Sequence, residues 1–266
     1  MSLEMALLVA HAPSMCHEEN VPVFQQSLVA GLKKMRDRIV EAGTEVVVII
    51  STHFAAPFHH CVDVTPHHKG ILTAFEALDL ISDVPYEYPG DEELGKQLAA
   101  AGKRIGVPVL EVNDTTYVWD YGTVVPLRYL VPNEDIAVVS LSVCLSAPLE
   151  ETYRWGTAIG QTLREGGKKT VFVSSGALSH NLVRGRENMP SRSEQAMDSQ
   201  FIGYLKNGQY ADAREMLNQY SRIAGVESGG RHLAALLGVV EPTQKAEVWG
   251  QGQSSASWNA IISFAS

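Results

Sequence analysis

Two short, unbroken apolar runs with one amphipathic stretch between them constrain this chain more than any other feature. The first covers residues 5–10 (MALLVA) and the second Val46-Val47-Val48-Ile49-Ile50, inside a strand expected at 45–50. Continuous runs of this length read as strands buried on both faces. Between them Phe24, Leu28, Leu32, Met35 and Ile39 recur at three- and four-residue steps, the apolar face of a helix that Ala42-Gly43 ends. Strand, helix, strand in that order predicts a parallel pair joined by a crossover. A histidine follows each run closely: His11 in His11-Ala12-Pro13-Ser14-Met15, and His53 in Ser51-Thr52-His53-Phe54. Strand ends in open α/β sheets collect ligands and catalytic groups, and imidazole is the commonest metal ligand. The chain reads as a metalloenzyme.

The alternation continues. Strands are expected at 61–64, 107–112, 136–143 and 170–174, and at 245–249 and 258–264, the last two as antiparallel additions. Helices are expected at 70–79, from Asp91, from Pro148 to about Arg164, and over most of 192–240. No internal repeat, low-complexity tract or linker interrupts the 266 residues. The expectation is an α/β fold with a central mixed, largely parallel sheet flanked by helices, as one domain over 1–266. A formal charge of −9, with no basic run, argues against a nucleic-acid partner. Cys16, Cys61 and Cys144, an odd number at wide spacing, suit a reducing compartment rather than a disulfide framework. No run is long enough to span a membrane and no signal segment opens the chain, so the expected location is the cytoplasm.

Taken singly, His11 or His53 would be a structural histidine; their equivalent positions favour one shared site. His180, in Ser174-Ser175-Gly176-Ala177-Leu178-Ser179-His180, follows another strand and enters the same mouth, or else sits in a surface loop. Glu227, in Glu227-Ser228-Gly229-Gly230-Arg231-His232, is either a first-turn helix acid or an anionic ligand. Two imidazoles and a carboxylate suit the facial triad of non-haem Fe(II) oxygenases, while zinc is also held by such a set in some hydrolases. Tyr121, in a turn into an apolar helix, offers a phenol near neutral pH. In the doublets His59-His60 and His67-His68 adjacent side chains point apart if the backbone is extended; they read as mostly solvated or as packed behind a site, with His60 the member to watch near the His53 loop, while His17 and His232 are undecided. Arg128, Arg184, Arg186, Arg192 and Arg231 are the candidates for reading an anionic substituent.

Taken together, His11-Ala12-Pro13-Ser14-Met15, Thr52-His53, Tyr121-Gly122-Thr123 through Pro126, Ser175-Gly176 through Ser179-His180, Glu227 with its glycines, and 252–259 resemble the class III extradiol ring-cleavage dioxygenases. This is the superfamily of the protocatechuate 4,5-dioxygenase catalytic subunit, and the chain is most similar to its homoprotocatechuate 2,3-dioxygenase type. The resemblance spans nearly the whole chain. It implies that His11, His53 and Glu227 hold Fe(II), that His180 is the acid–base histidine, and that the substrates are O2 and a catecholic or aminophenolic ring. It also implies a homo-oligomer, dimer or tetramer. Some members of the superfamily carry a second histidine where this chain has Tyr121; with a pKa near 10 a phenol is a poor base at neutral pH, which leaves the proton work to His180. Cleavage of 2-aminophenol, a zinc hydrolase and a Memo-like binding protein on the same fold are the competing readings.

Overall fold

The computed structural model describes residues 3–265. Along β1 (Leu3–Val9), Ala6 and Leu8 enter the core on one side of the sheet, and Met5, Leu7 and Val9 the core on the other. Along β2 (Val46–Ala56), Val46, Val48 and Ile50 face the first core, Val47 and Ile49 the second. Apolar residues at every position, sorted by the two-residue period, are what a strand between two layers requires. Between these strands lies α1 (Gln26–Ala42), closed by Gly43 at φ +65°, a left-handed cap that glycine adopts without strain.

After β2 come β3 (His60–Asp63) and a hairpin of β4 (His67–Leu72) and β5 (Val84–Pro89), which forms a small antiparallel sheet of its own. There follow α2 (Glu92–Arg104), β6 (Val109–Val112), α3 (Tyr121–Leu130), β7 (Ala137–Cys144), α4 (Leu149–Glu165) and β8 (Thr170–Ser175). The remaining elements are α5 (Arg192–Lys206), α6 (Tyr210–Ala224), α7 (Arg231–Val239), β9 (Lys245–Ser254) and β10 (Ser257–Ala265). Among the described residues the main sheet has eight strands in the order β6-β3-β7-β2-β8-β1-β10-β9. Its centre, β7-β2-β8-β1, is parallel. On one flank β10 and β9 are antiparallel additions; on the other, β3 is antiparallel to β7 and parallel to β6. This is the mixed, largely parallel α/β sheet flanked by helices that the order of apolar runs predicts.

One core packs the sheet against α2, α4, α5, α6 and α7 through Leu98, Trp155, Phe201, Tyr220 and Leu236. The other packs it against α1, α3 and the hairpin through Leu32, Leu127 and Tyr88. Helices α4 and α7 cross backbone to backbone: a Cβ at Gly156 would stand 2.1 Å from the Ala235 carbonyl, and one at Gly238 2.2 Å from that of Tyr153. Those two positions exclude any side chain.

The largest departure from expectation is at 70–79. No helix forms there; β4 runs to Leu72 and only a short 3-10 turn, Phe75–Ala77, follows. Leu72, Ala74, Ala77 and Ile81 are all buried and happen to repeat at a near-helical spacing. The partner strand β5 was not anticipated, because Pro85 and Pro89 give a strand of perfect alternation the look of a loop. Strand β2, expected to end at residue 50, runs on to Ala56, so His53 lies within it, where the pairing with β7 shifts register between Ser51 and Ala55; the remaining shifts are small. Pro148 is the cap residue before α4 instead of its first residue, and the two final strands are longer than expected. Cys16, Cys61 and Cys144 are buried free thiols. No helix among the described residues is long and apolar enough to cross a membrane.

Candidate active site

Ser175, at the tip of the central strand β8, is in register with Val9 of β1 on one side and Ser51 of β2 on the other. His11 and His53 each stand two residues beyond those partners, so both rings arrive at one mouth, with centroids 5.0 Å apart. Glu227 reaches them from the turn before α7. Ser228, Gly229 and Gly230 take φ of +49°, +64° and +79°, three left-handed residues in a row. Glycine adopts that region freely and serine does not, and Ser228 is held there by donating its hydroxyl to the Thr52 carbonyl at 3.2 Å. The turn drives Glu227 inward, where it is 5% exposed.

The buried carboxylate is fully engaged. Its Oε1 accepts the Thr52 hydroxyl at 2.8 Å and stands 3.3 Å from Nε2 of both His11 and His53; its Oε2 accepts the Ala177 N–H at 2.6 Å. Burial alone would raise the Glu227 carboxyl, but His11 and His53, with His180 adding to them, hold it well below the usual carboxylate range. One ligand atom from each of His11, His53 and Glu227 lies within 4.8 Å of the others. Two imidazole nitrogens and a carboxylate oxygen so gathered suit a divalent transition metal with positions left open.

His180 stands on the same wall, its Nε2 4.0 Å from Glu227 Oε1. Its loop is anchored from below. The Ser179 N–H and hydroxyl donate to the buried Asp198 carboxylate at 3.0 and 2.7 Å, and the His180 N–H donates to the Ala224 carbonyl at 3.1 Å. Burial pushes the His180 imidazole below its ordinary value, and the neighbouring imidazoles outline the same direction against the pull of Glu227. Tyr121 opens α3, whose cap is Asp120. That carboxylate accepts the Thr123 N–H at 3.0 Å and the Ser51 hydroxyl at 2.5 Å, tying the helix start to the strand that carries His53. The Tyr121 ring packs on His53 with centroids 4.0 Å apart, and burial keeps the phenol protonated well above its ordinary range.

These five side chains line a cavity of ≈ 320 Å³, whose walls include Pro13, Ala177, Leu80 and Asn259. Of the five arginines considered from sequence, Arg186 alone lines it, at a rim shared with Glu76 and Asp79. It donates to Asp79 at 3.0 Å, linking the segment before β5 to the loop after His180. Arg128 and Arg231 are instead spent on backbone carbonyls, those of Cys16 and Ala147.

Within each histidine doublet one side chain is exposed and the other buried, as adjacent residues of extended backbone predict. His59 and His67 are exposed, while His60 and His68 are buried. His60 packs beside Trp155, with Nε2 3.3 Å from Glu151, and is not part of the cavity wall. His68 packs between Asp63 and Trp119. His232 is fully buried, and burial takes it down to about 4. Its ring explains Gly176, where a Cβ would meet His232 Cδ2 at 2.5 Å; the small residue there makes room for a protein ring as well as for the turn. The anchoring hydroxyls and carboxylates (Ser51, Thr52, Asp120, Ser175, Asp198) were not singled out from sequence. Only Asp120 carried a local signal, as an acidic cap before a helix.

Residues 5–264 match the family described as the catalytic LigB subunit of aromatic ring-opening dioxygenase. The chain belongs to that family. Among LigB-related proteins, 3,4-dihydroxyphenylacetate 2,3-dioxygenase of Escherichia coli is 27% identical over 97% of this chain and 98% of its own length. The 2-aminophenol 1,6-dioxygenase beta subunit of a Pseudomonas species is 23% identical over 96% of this chain and 91% of its own. The crystal structure of an uncharacterized Escherichia coli K12 protein superposes with a TM-score of 0.73 at 18% identity, covering 98% of this chain and 99% of that one, a likeness of fold alone. Membership in the LigB family makes this an enzyme of the ring-opening dioxygenase kind, a metal-dependent class, and the His-His-Glu cluster is a possible site for the metal.

Proposed function

We propose that this protein is a non-haem Fe(II) extradiol dioxygenase that opens a catechol-type ring. His11, His53 and Glu227 are its iron ligands and His180 its acid–base group. The observation that carries the reading is the convergence of two imidazoles and one carboxylate within 4.8 Å, with a further histidine 4.0 Å from the carboxylate, on one cavity wall of a LigB-family chain. Iron rather than zinc follows from the family's use of O2, because zinc has no redox chemistry. Bound there, iron would supply a Lewis acid that acidifies the ring hydroxyls and a redox centre through which O2 can react.

The chain's own groups do the rest. His180, held neutral by burial, takes a proton from a ring hydroxyl and returns it later in the cycle. Tyr121, held protonated by burial, donates a hydrogen bond and does not act as a base. Pro13, Ala177 and Leu80 give the ring an apolar slot. Asp79 takes one donor of Arg186, which leaves the other donors of that guanidinium free to meet an anionic substituent at the mouth.

The deciding experiment is O2 uptake with simultaneous visible absorbance, on protein loaded anaerobically with Fe(II). The panel holds catechols with anionic and neutral substituents and 2-aminophenols, the ring type named for the Pseudomonas relative. Stoichiometric uptake with a yellow ring-opened product is expected with a catechol. A response to aminophenols alone would replace the catechol reading with the sibling one, and bound metal with no uptake from any ring would overturn both.

A further inference from the structure

Ser175 occupies the point where the metal cluster and the start of α3 meet. It is fully buried, its Oγ lying 2.5 Å from the Gly122 carbonyl oxygen and 2.9 Å from Nδ1 of His11. A serine hydroxyl carries one proton. A carbonyl oxygen can only accept, and two oxygens 2.5 Å apart with no hydrogen between them would repel, so that proton points at Gly122. The contact with His11 must then be made by a proton on the imidazole.

We infer that Ser175 is a positioning residue which holds His11 in the tautomer protonated at Nδ1, leaving the Nε2 lone pair aimed at the metal cluster. His11 Nε2 is the nitrogen that lies 3.3 Å from Glu227 Oε1, so the nitrogen freed by Ser175 is the one already facing the cluster. The same hydroxyl joins His11 to Gly122, the residue after Tyr121, and so fixes a ligand and the phenol relative to each other. The strand register explains why this position can do so: residue 175 lies between the partners two residues upstream of His11 and of His53. Such outer partners set the orientation and basicity of a ligating imidazole. The inference rests on the metal-centre part of the proposed function and is independent of which ring is opened.

The test reads the tautomer directly. In metal-free protein labelled with 15N-imidazole histidine, at mildly alkaline pH, the His11 signals (assigned by their loss in His11→Gln) should report a proton on Nδ1, the nitrogen that faces Ser175. Ser175→Ala should lose that preference and bind Co(II) about 10–100-fold more weakly. Ser174→Ala, which removes the neighbouring buried hydroxyl that serves the His232 carbonyl at 2.9 Å, should leave Co(II) affinity within about twofold. A wild-type His11 with no proton on Nδ1, or Ser175→Ala binding Co(II) as wild type does, overturns the inference. Should Ser175→Ala fail to fold, the wild-type tautomer still decides. Wild-type protein that binds Co(II) but opens no ring defeats the proposed activity and leaves the role of Ser175 standing; wild-type protein that binds neither Co(II) nor Fe(II) defeats the metal centre and this role with it.

Discussion

At the scale of single residues, the surroundings of His180 suit the base proposed for it. Burial disfavours its charged form, and Glu227 pulls the other way without prevailing, so its pKa lies below the ordinary value of 6.5. A divalent cation among His11, His53 and Glu227 would push in the same direction. The base form is neutral, so it is present above that pKa and lost as pH falls through it. The acid limb of kcat/KM should therefore have its midpoint below pH 6.5; a midpoint above 6.5 in a pH–rate profile would contradict the assignment. His180→Ala should lose about 10²–10⁴-fold in turnover while keeping its metal, checked by metal analysis beside single-turnover kinetics. The residues differ in how readable they were. His11 and His53 announce themselves by closely following two apolar runs, although β2 continues past His53 to Ala56. Glu227 is more ambiguous, because an acid before a helix is ordinary chemistry: its residues alone left it a first-turn acid or an anionic ligand, and the resemblance chose the second. Ser175 was visible only as part of a tight turn; its partners are set by strand register, which no window of sequence displays.

At the scale of elements, the start of α3 is the joint worth testing. Asp120 caps the helix and also receives the Ser51 hydroxyl from the strand that leads to His53. Asp120→Ala removes these bonds together with that from the Thr123 hydroxyl and should destabilise the fold by about 1–2 kcal/mol, the usual worth of such a cap. Urea denaturation measures this as a lower midpoint at unchanged slope. A midpoint equal to wild type would show that Asp120 carries no net stabilisation. The helix itself was legible as an apolar run entered through a cap. The β4–β5 hairpin was not, since its prolines and the near-helical spacing of Leu72, Ala74 and Ala77 pointed elsewhere. That hairpin and the segment inside it supply Glu76, Asp79 and Leu80 to the cavity. The least legible element thus builds the rim, while the most legible strands build the floor.

At the scale of the molecule, the candidate metal cluster draws its residues from three distant parts of the chain, so a metal bound there would stabilise the assembled state and not the unfolded one. At about 100 times its Kd a ligand of this kind adds roughly 2.7 kcal/mol, which for a chain of this size is a rise in Tm of roughly 5–10 °C. Anaerobic Fe(II) should produce that rise in scanning calorimetry, and His11→Ala, His53→Ala or Glu227→Ala should abolish it; a rise of equal size in these variants would place the ion elsewhere. Strand order has another consequence, one of timing. In β1, Ala6 pairs with Phe172 of β8 on one side and with Phe264 of β10 on the other. Strand β1, made well before either neighbour, therefore waits with both edges unpaired until β8 and β10 are synthesised. Closure over such long separations is slow, and until it occurs the nascent chain exposes a strand of nearly unbroken hydrophobicity, the kind of segment that chaperones exist to shield.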